Sequence, residues 1–69
     1  MDYLIRLPEV ITRTGMSRST ILRMVNGQLF DFPLPVKLGA RSVAWRSAEI
    51  DRWIAERPRS IDGGAYELS

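Results

Sequence analysis

Neither cysteine nor histidine occurs among the 69 residues. The first absence excludes disulfide staples. Together they exclude a thiolate or imidazole zinc site and every conventional nucleophilic triad. Glycine is sparse, five in all, and forms no glycine-rich loop of the kind that cradles a nucleotide phosphate. No apolar run approaches the ~18 residues of a membrane span, and no basic-then-apolar leader with a small-residue cleavage site is legible. Internal repeats and low-complexity tracts are missing too. Glu49, Asp51 and Glu56 fall on one segment with helical spacing, where helix polarity and solubility explain them. The expectation is a protein without catalytic activity, cofactor, metal or membrane segment.

What is present is one small core and a surplus of arginine. A chain this short supports one domain near the lower limit for folding alone. Hydrophobic residues make up 45% of it. Trp45 and Trp53 weigh most, since each can bury roughly 150–250 Å², an upper-bound gain of ~4–6 kcal/mol. The net charge is +2, and nine of the ten basic residues are arginine. Ten bases face six acids up to Arg59, whereas residues 60–69 add only Asp62 and Glu67. The guanidinium fork matches phosphate geometry, so a basic, arginine-rich body favours nucleic acid.

Local signals divide the chain. Tyr3-Leu4-Ile5 suits an edge strand or simple packing. Pro8 and Glu9 suit the first turn of a helix over 8–14, with Leu7, Val10, Ile11 and Thr14 recurring at three and four, and Gly15 ends it. Ser17 is a good N-cap for a second helix, 18–26, which Asn26 and Gly27 stop. That helix places Ile21, Met24 and Val25 on one side. Ser19, Arg23 and Asn26 face the other way, flanked by Arg18 and Leu22. A short two-sided helix entered through a glycine turn from a preceding helix has the form of a helix-turn-helix reader. Residues 28–35 read as a loop with Phe30 and Phe32 turned into the core. Val36-Lys37-Leu38 and Ser42-Val43-Ala44-Trp45 read as a hairpin around Gly39-Ala40-Arg41. Ser47 caps a last helix over 48–57, with Ile50, Trp53 and Ile54 buried and Pro58 beyond its end. From Arg59 onward there is no periodicity, so residues 1–58 form the domain and 59–69 a flexible tail.

Five blocks of this sequence resemble the AlpA family of prophage regulatory proteins in consistent order and spacing. They are Arg6-Leu7-Pro8-Glu9-Val10, the run from Thr14 to Ile21, Pro35-Val36-Lys37-Leu38-Gly39, Val43-Ala44-Trp45-Arg46, and Ile50-Asp51-Arg52-Trp53-Ile54. The resemblance covers residues 4–57, most of the chain; the loop 26–35 is slightly longer than is usual in that family. It implies a mainly helical fold with a small β-hairpin: a winged helix-turn-helix of the MerR and excisionase kind, with three short helices and a two-stranded wing. The helix 18–26 would enter the major groove, and the wing, 36–45, would lie on the backbone or in the minor groove. The implied function is transcription regulation of a prophage or other mobile element through sequence-specific binding to duplex DNA. An excisionase-type directionality factor that bends attachment-site DNA is the alternative, and a protein–protein adaptor ranks last. Self-association on adjacent sites, and contact with an integrase or RNA polymerase, are the further partners implied. The setting would be cytoplasmic, in a bacterium or encoded by a phage.

The candidate DNA-contacting residues are Ser17, Arg18, Ser19, Thr20, Arg23, Asn26, Lys37, Arg41 and Arg46. Arg23 points away from the expected core and could read guanine through O6 and N7. Arg18, in the first turn, suits a base edge or a phosphate equally. Ser17, Ser19 and Thr20 could donate to phosphates, although capping already accounts for Ser17. Arg41 at the hairpin tip suits the negative potential of a narrow minor groove. Lys37 flanks it as a phosphate partner or as protection of a strand edge, and Arg46 contacts phosphate or pairs with Glu49. The tryptophans read as core rather than as base-stacking platforms, because no aromatic residues interleave with a basic groove. Arg13, Arg52 and Arg57 need no role beyond a helix surface, though Arg13 lies close enough to the turn to touch phosphate.

Overall fold

Local chemistry sets the limits of the first two helices. In the computed structural model, which describes residues 1–58, strand β1 (Leu4–Ile5) leads into helix α1 (Leu7–Thr14) with Pro8 in its first turn. Gly15 ends α1 with φ of 73° and donates to the Ile11 carbonyl at 2.8 Å, a left-handed position that glycine enters without steric cost. Thr14 tightens the turn: its hydroxyl donates to the Val10 carbonyl at 2.8 Å and accepts from the Met16 N–H at 3.2 Å. Helix α2 (Arg18–Gly27) then starts from Ser17, whose Oγ accepts the Thr20 N–H at 3.2 Å. The left-handed stop of α2 is Gln28, at φ 52°, one residue later than Asn26-Gly27 suggested; Gly27 is still helical.

Strands β2 (Val36–Lys37) and β3 (Val43–Arg46) make the hairpin, and helix α3 (Ser47–Ala55) follows β3 without a break. The sheet has three strands rather than the two expected of the wing alone, in the order β1-β3-β2 and antiparallel throughout. Ile5 lies opposite Trp45 and Lys37 opposite Val43. Val43 and Trp45 therefore share a face, as alternation predicts, but only Trp45 is buried. Val43, at the hairpin end of β3, is exposed.

The core joins Ile5, Val10, Ile21, Met24, Phe32, Trp45, Ile50 and Trp53, so every helix and the sheet contribute. Trp45 is 1% exposed and Trp53 8%. Both indoles also hold the loop 28–35: Trp45 Nε1 donates to the Pro33 carbonyl at 3.0 Å and Trp53 Nε1 to the Phe30 carbonyl at 2.9 Å. Only one of the two phenylalanines turns inward. Phe32 is 4% exposed and packs edge-on to Trp53 with centroids 4.9 Å apart, whereas Phe30 is 68% exposed. Phe30 and Asp31 both take positive φ, 59° and 56°, at a cost of roughly 1–2 kcal/mol each. That backbone turns the Phe30 carbonyl toward Trp53 and its ring toward solvent.

The last helix corrects the sequence reading at both ends. Ser47 does not cap it. The Ser47 side chain is buried, accepts the Tyr3 N–H at 3.0 Å and donates to Asp2 Oδ1 at 3.2 Å. The free helical N–H of Ala48 goes to Asp2 Oδ1 at 3.0 Å, so the cap comes from the other end of the sequence. The Ala48 amide foremost holds the Asp2 carboxyl below its usual range; desolvation opposes it, and Ser47 and Arg46 each add a lesser lowering. At its C-terminus α3 stops at Ala55 instead of running to Arg57. Arg57 still serves the negative end of the helix: its Nε donates to the Trp53 carbonyl at 3.1 Å and its guanidinium stacks 4.2 Å from the Trp53 ring centroid. The tail expected over 59–69 lies outside the described residues.

Candidate nucleic-acid interface

Helix α2 is oriented by what it buries. Ile21 and Met24 are buried, Val25 and Met16 are packed against the same core, and α1 lies alongside. Burial of that face leaves the opposite one to solvent. Arg18, Ser19, Arg23 and Asn26 are exposed there, with Ser17 and Thr20 exposed at the helix start. Among the described residues neither Arg18 nor Arg23 has an ion-pair partner. Both guanidiniums thus keep all their donors available to a ligand. Ser17 and Thr20 are less available, since their hydroxyls bond each other at 3.0 Å.

The hairpin presents a second basic element. Its ladder closes beyond the strands through the Leu38 N–H, which donates to the Ser42 carbonyl at 2.7 Å, and the Gly39 N–H, which reaches the same oxygen at 3.3 Å. Arg41 sits at the tip, exposed, with Lys37 exposed on β2. Neither forms an ion pair among the described residues. Gly39 has no positive φ and nothing within 4 Å of a Cβ placed on it, so the tip is open space.

Arg46 stands apart from these groups. It lies at the other end of β3, about 10 Å along the strand from Val43 at ~3.3 Å per residue, and its Nη1 donates to Asp2 Oδ2 at 3.4 Å. The pairing with Glu49 is not formed; Asp2 takes that place because β1 brings the N-terminal segment beside β3. Arg13 likewise departs from a free surface role. It donates through Nε and Nη2 to Glu9 at 3.0 and 2.7 Å, through Nη1 to both oxygens of Asp51 at 3.0 and 3.1 Å, and through Nη2 to the Tyr3 hydroxyl. The Glu9 contact foremost, with Asp51 second among the favourable ones, raises its pKa. Arg13 is a tie between α1, α3 and the N-terminal segment, with its donors already committed.

Three roles escaped the sequence reading: Asp2 as cap, Arg13 as tie and Thr14 as turn clip. Only Thr14 had a local signal, a hydroxyl directly before the turn glycine. Arg6 adds another exposed cation without an ion-pair partner among the described residues, at the start of α1.

A family model described as Prophage CP4-57 regulatory protein (AlpA) matches residues 3–58. The sequence is similar to the DNA-binding transcriptional activator AlpA of Escherichia coli (strain K12), 44% identical over 62 residues, which cover 84% of this chain and 89% of that protein. It is also similar to the uncharacterized protein ORF88 of Enterobacteria phage P4, 42% identical over 56 residues, covering 81% of this chain and 61% of the phage protein. No solved structure matches.

Proposed function

The chain belongs to the AlpA family of prophage regulatory proteins, and from that premise we propose that it regulates transcription of a prophage or other mobile element by sequence-specific binding to duplex DNA. The observation that carries the proposal is the layout of cations. Arg18 and Arg23 on α2 and Lys37 and Arg41 on the wing are exposed and unpaired among the described residues. The arginine on α1 is instead neutralised by Glu9 and Asp51. Helix α2 is rigidly capped and locked by its apolar face, which supplies the preorganisation a major-groove reader needs.

Arg23 and Asn26 take the base-reading positions of α2, Arg18 contacts a base edge or the adjoining phosphate, and Ser17, Ser19 and Thr20 lie along the backbone. The wing sets Arg41 in the minor groove and Lys37 on a phosphate. One short helix and one small wing read only a few base pairs, so useful specificity comes from several copies on adjacent sites. The test is duplex binding across a salt series. About four phosphate contacts give a log–log slope near −4, and no binding to any duplex at low salt would rule the function out.

A further inference from the structure

The carboxylates of residues 1–58 fall into two groups. Of the six within residues 1–58, Asp2, Glu9 and Asp51 pair with Arg46 and Arg13. The other three, Asp31, Glu49 and Glu56, all line one groove of about 400 Å³ between α3 and the loop 28–35. Pro33, Leu34 and Trp53 give the groove its apolar lining, and Arg52 is the one cation among the lining residues. Directly before Asp31 stands Phe30, 68% exposed, and Leu34 is 53% exposed. None of these residues belongs to α2 or to the wing.

We propose that this groove docks a basic, apolar-anchored segment of a second protein while α2 and the wing hold DNA. The loop is a fixed platform, because indole N–H groups from the core grip its carbonyls at Phe30 and Pro33. Folding uses Phe32, which leaves Leu34 exposed in the groove lining and Phe30 exposed directly before the lining residue Asp31. Aromatic and aliphatic side chains offered this way suit an apolar anchor of a partner. Three carboxylates against Arg52 in the lining and Arg57 stacked on the Trp53 ring leave the groove net negative, so it repels phosphate and attracts arginine or lysine. A second copy fits less well. Four of its unpaired cations, Arg18, Arg23, Lys37 and Arg41, sit on α2 and the wing, and docking them in a neighbour's groove would forfeit their DNA contacts.

The test titrates the isotope-labelled full chain with a short capped peptide alternating arginine and leucine, and with the same peptide carrying glutamate for arginine. The basic peptide is expected to shift the Trp53 indole and the Phe30 and Leu34 amides saturably. Phe30→Ala combined with Glu56→Gln should weaken it about tenfold, and the acidic peptide should leave those signals in place. Duplex binding by the same variant should match wild type, so loss of the DNA function and loss of the docking function are read separately. The proposal is overturned if the basic peptide leaves the groove signals unmoved or binds the double variant equally well. It is also overturned if the groove signals shift on concentrating the protein alone as dimers sediment, which would assign the groove to a second copy.

Discussion

Two phenylalanines two positions apart show how far a single side chain is legible. Phe30 and Phe32 sit on either side of Asp31 in one short loop, yet one is solvent-facing and the other core. The difference lies in the backbone at Phe30 and Asp31, both left-handed, a conformation no composition rule assigns to phenylalanine. Phe32→Ala should cost about 3–5 kcal/mol, enough to unfold a domain of this size, whereas Phe30→Ala should stay within about 0.5 kcal/mol. Thermal melts of the two variants test this, and equal losses would place both rings in the core. Arg13 makes the same point for charge: its partner Asp51 lies 38 positions away, beyond any helical spacing rule.

At the scale of elements, what could be read early is what local chemistry decides. Gly15 and Ser17 delimit α1 and α2 through neighbours within four residues, and the structure keeps both assignments. Ser17→Ala removes the Thr20 N–H partner and should cost about 1 kcal/mol. Gly15→Ala should cost about as much, since α-left is closed to alanine by ~1–2 kcal/mol. Gly39→Ala, with ordinary φ and open space, is the neutral control. Helix α3 is the opposite case. Its cap, Asp2, is 46 positions from Ala48, so Ser47 looked like the cap only because it was the nearest oxygen. The folded Asp2 carboxyl titrates lower than in the unfolded chain. Its stabilisation is therefore complete above the unfolded value and lost as pH falls through the folded one. Asp2→Ala should lower the melting temperature at neutral pH and flatten its decline in acid; an unchanged acid profile would remove Asp2 from the account.

For the whole molecule, the arrangement is one of separated charge on a single core. Among the described residues, Arg18, Arg23, Lys37 and Arg41 on α2 and the wing lack ion-pair partners, as do Arg6 before α1 and Arg52 in the groove beside α3; the carboxylates without partners line that groove, and Arg13 and Arg46 are engaged by acids between elements. Among the described residues no helix is long and apolar enough to cross a membrane. The candidate site was legible in part: the exposed face of α2 follows from helical periodicity, and Arg41 from the hairpin. Arg46 was not, because its surroundings depend on β1 closing against β3. If the wing carries about one phosphate or minor-groove contact through Arg41, Arg41→Ala should make the salt slope shallower by about 1. An unchanged slope would detach the wing from DNA.

Whether α2 reads bases is decided by comparing wild type with Arg18→Ala/Arg23→Ala. Both are titrated onto a duplex that the wild-type protein selects from a random library, and onto its scrambled counterpart. The double variant should melt like wild type and keep weak, salt-sensitive binding. Its preference for the selected duplex should fall at least tenfold, since one bidentate base contact is worth about 1–3 kcal/mol. A folded double variant that retains the full preference would contradict base reading by α2.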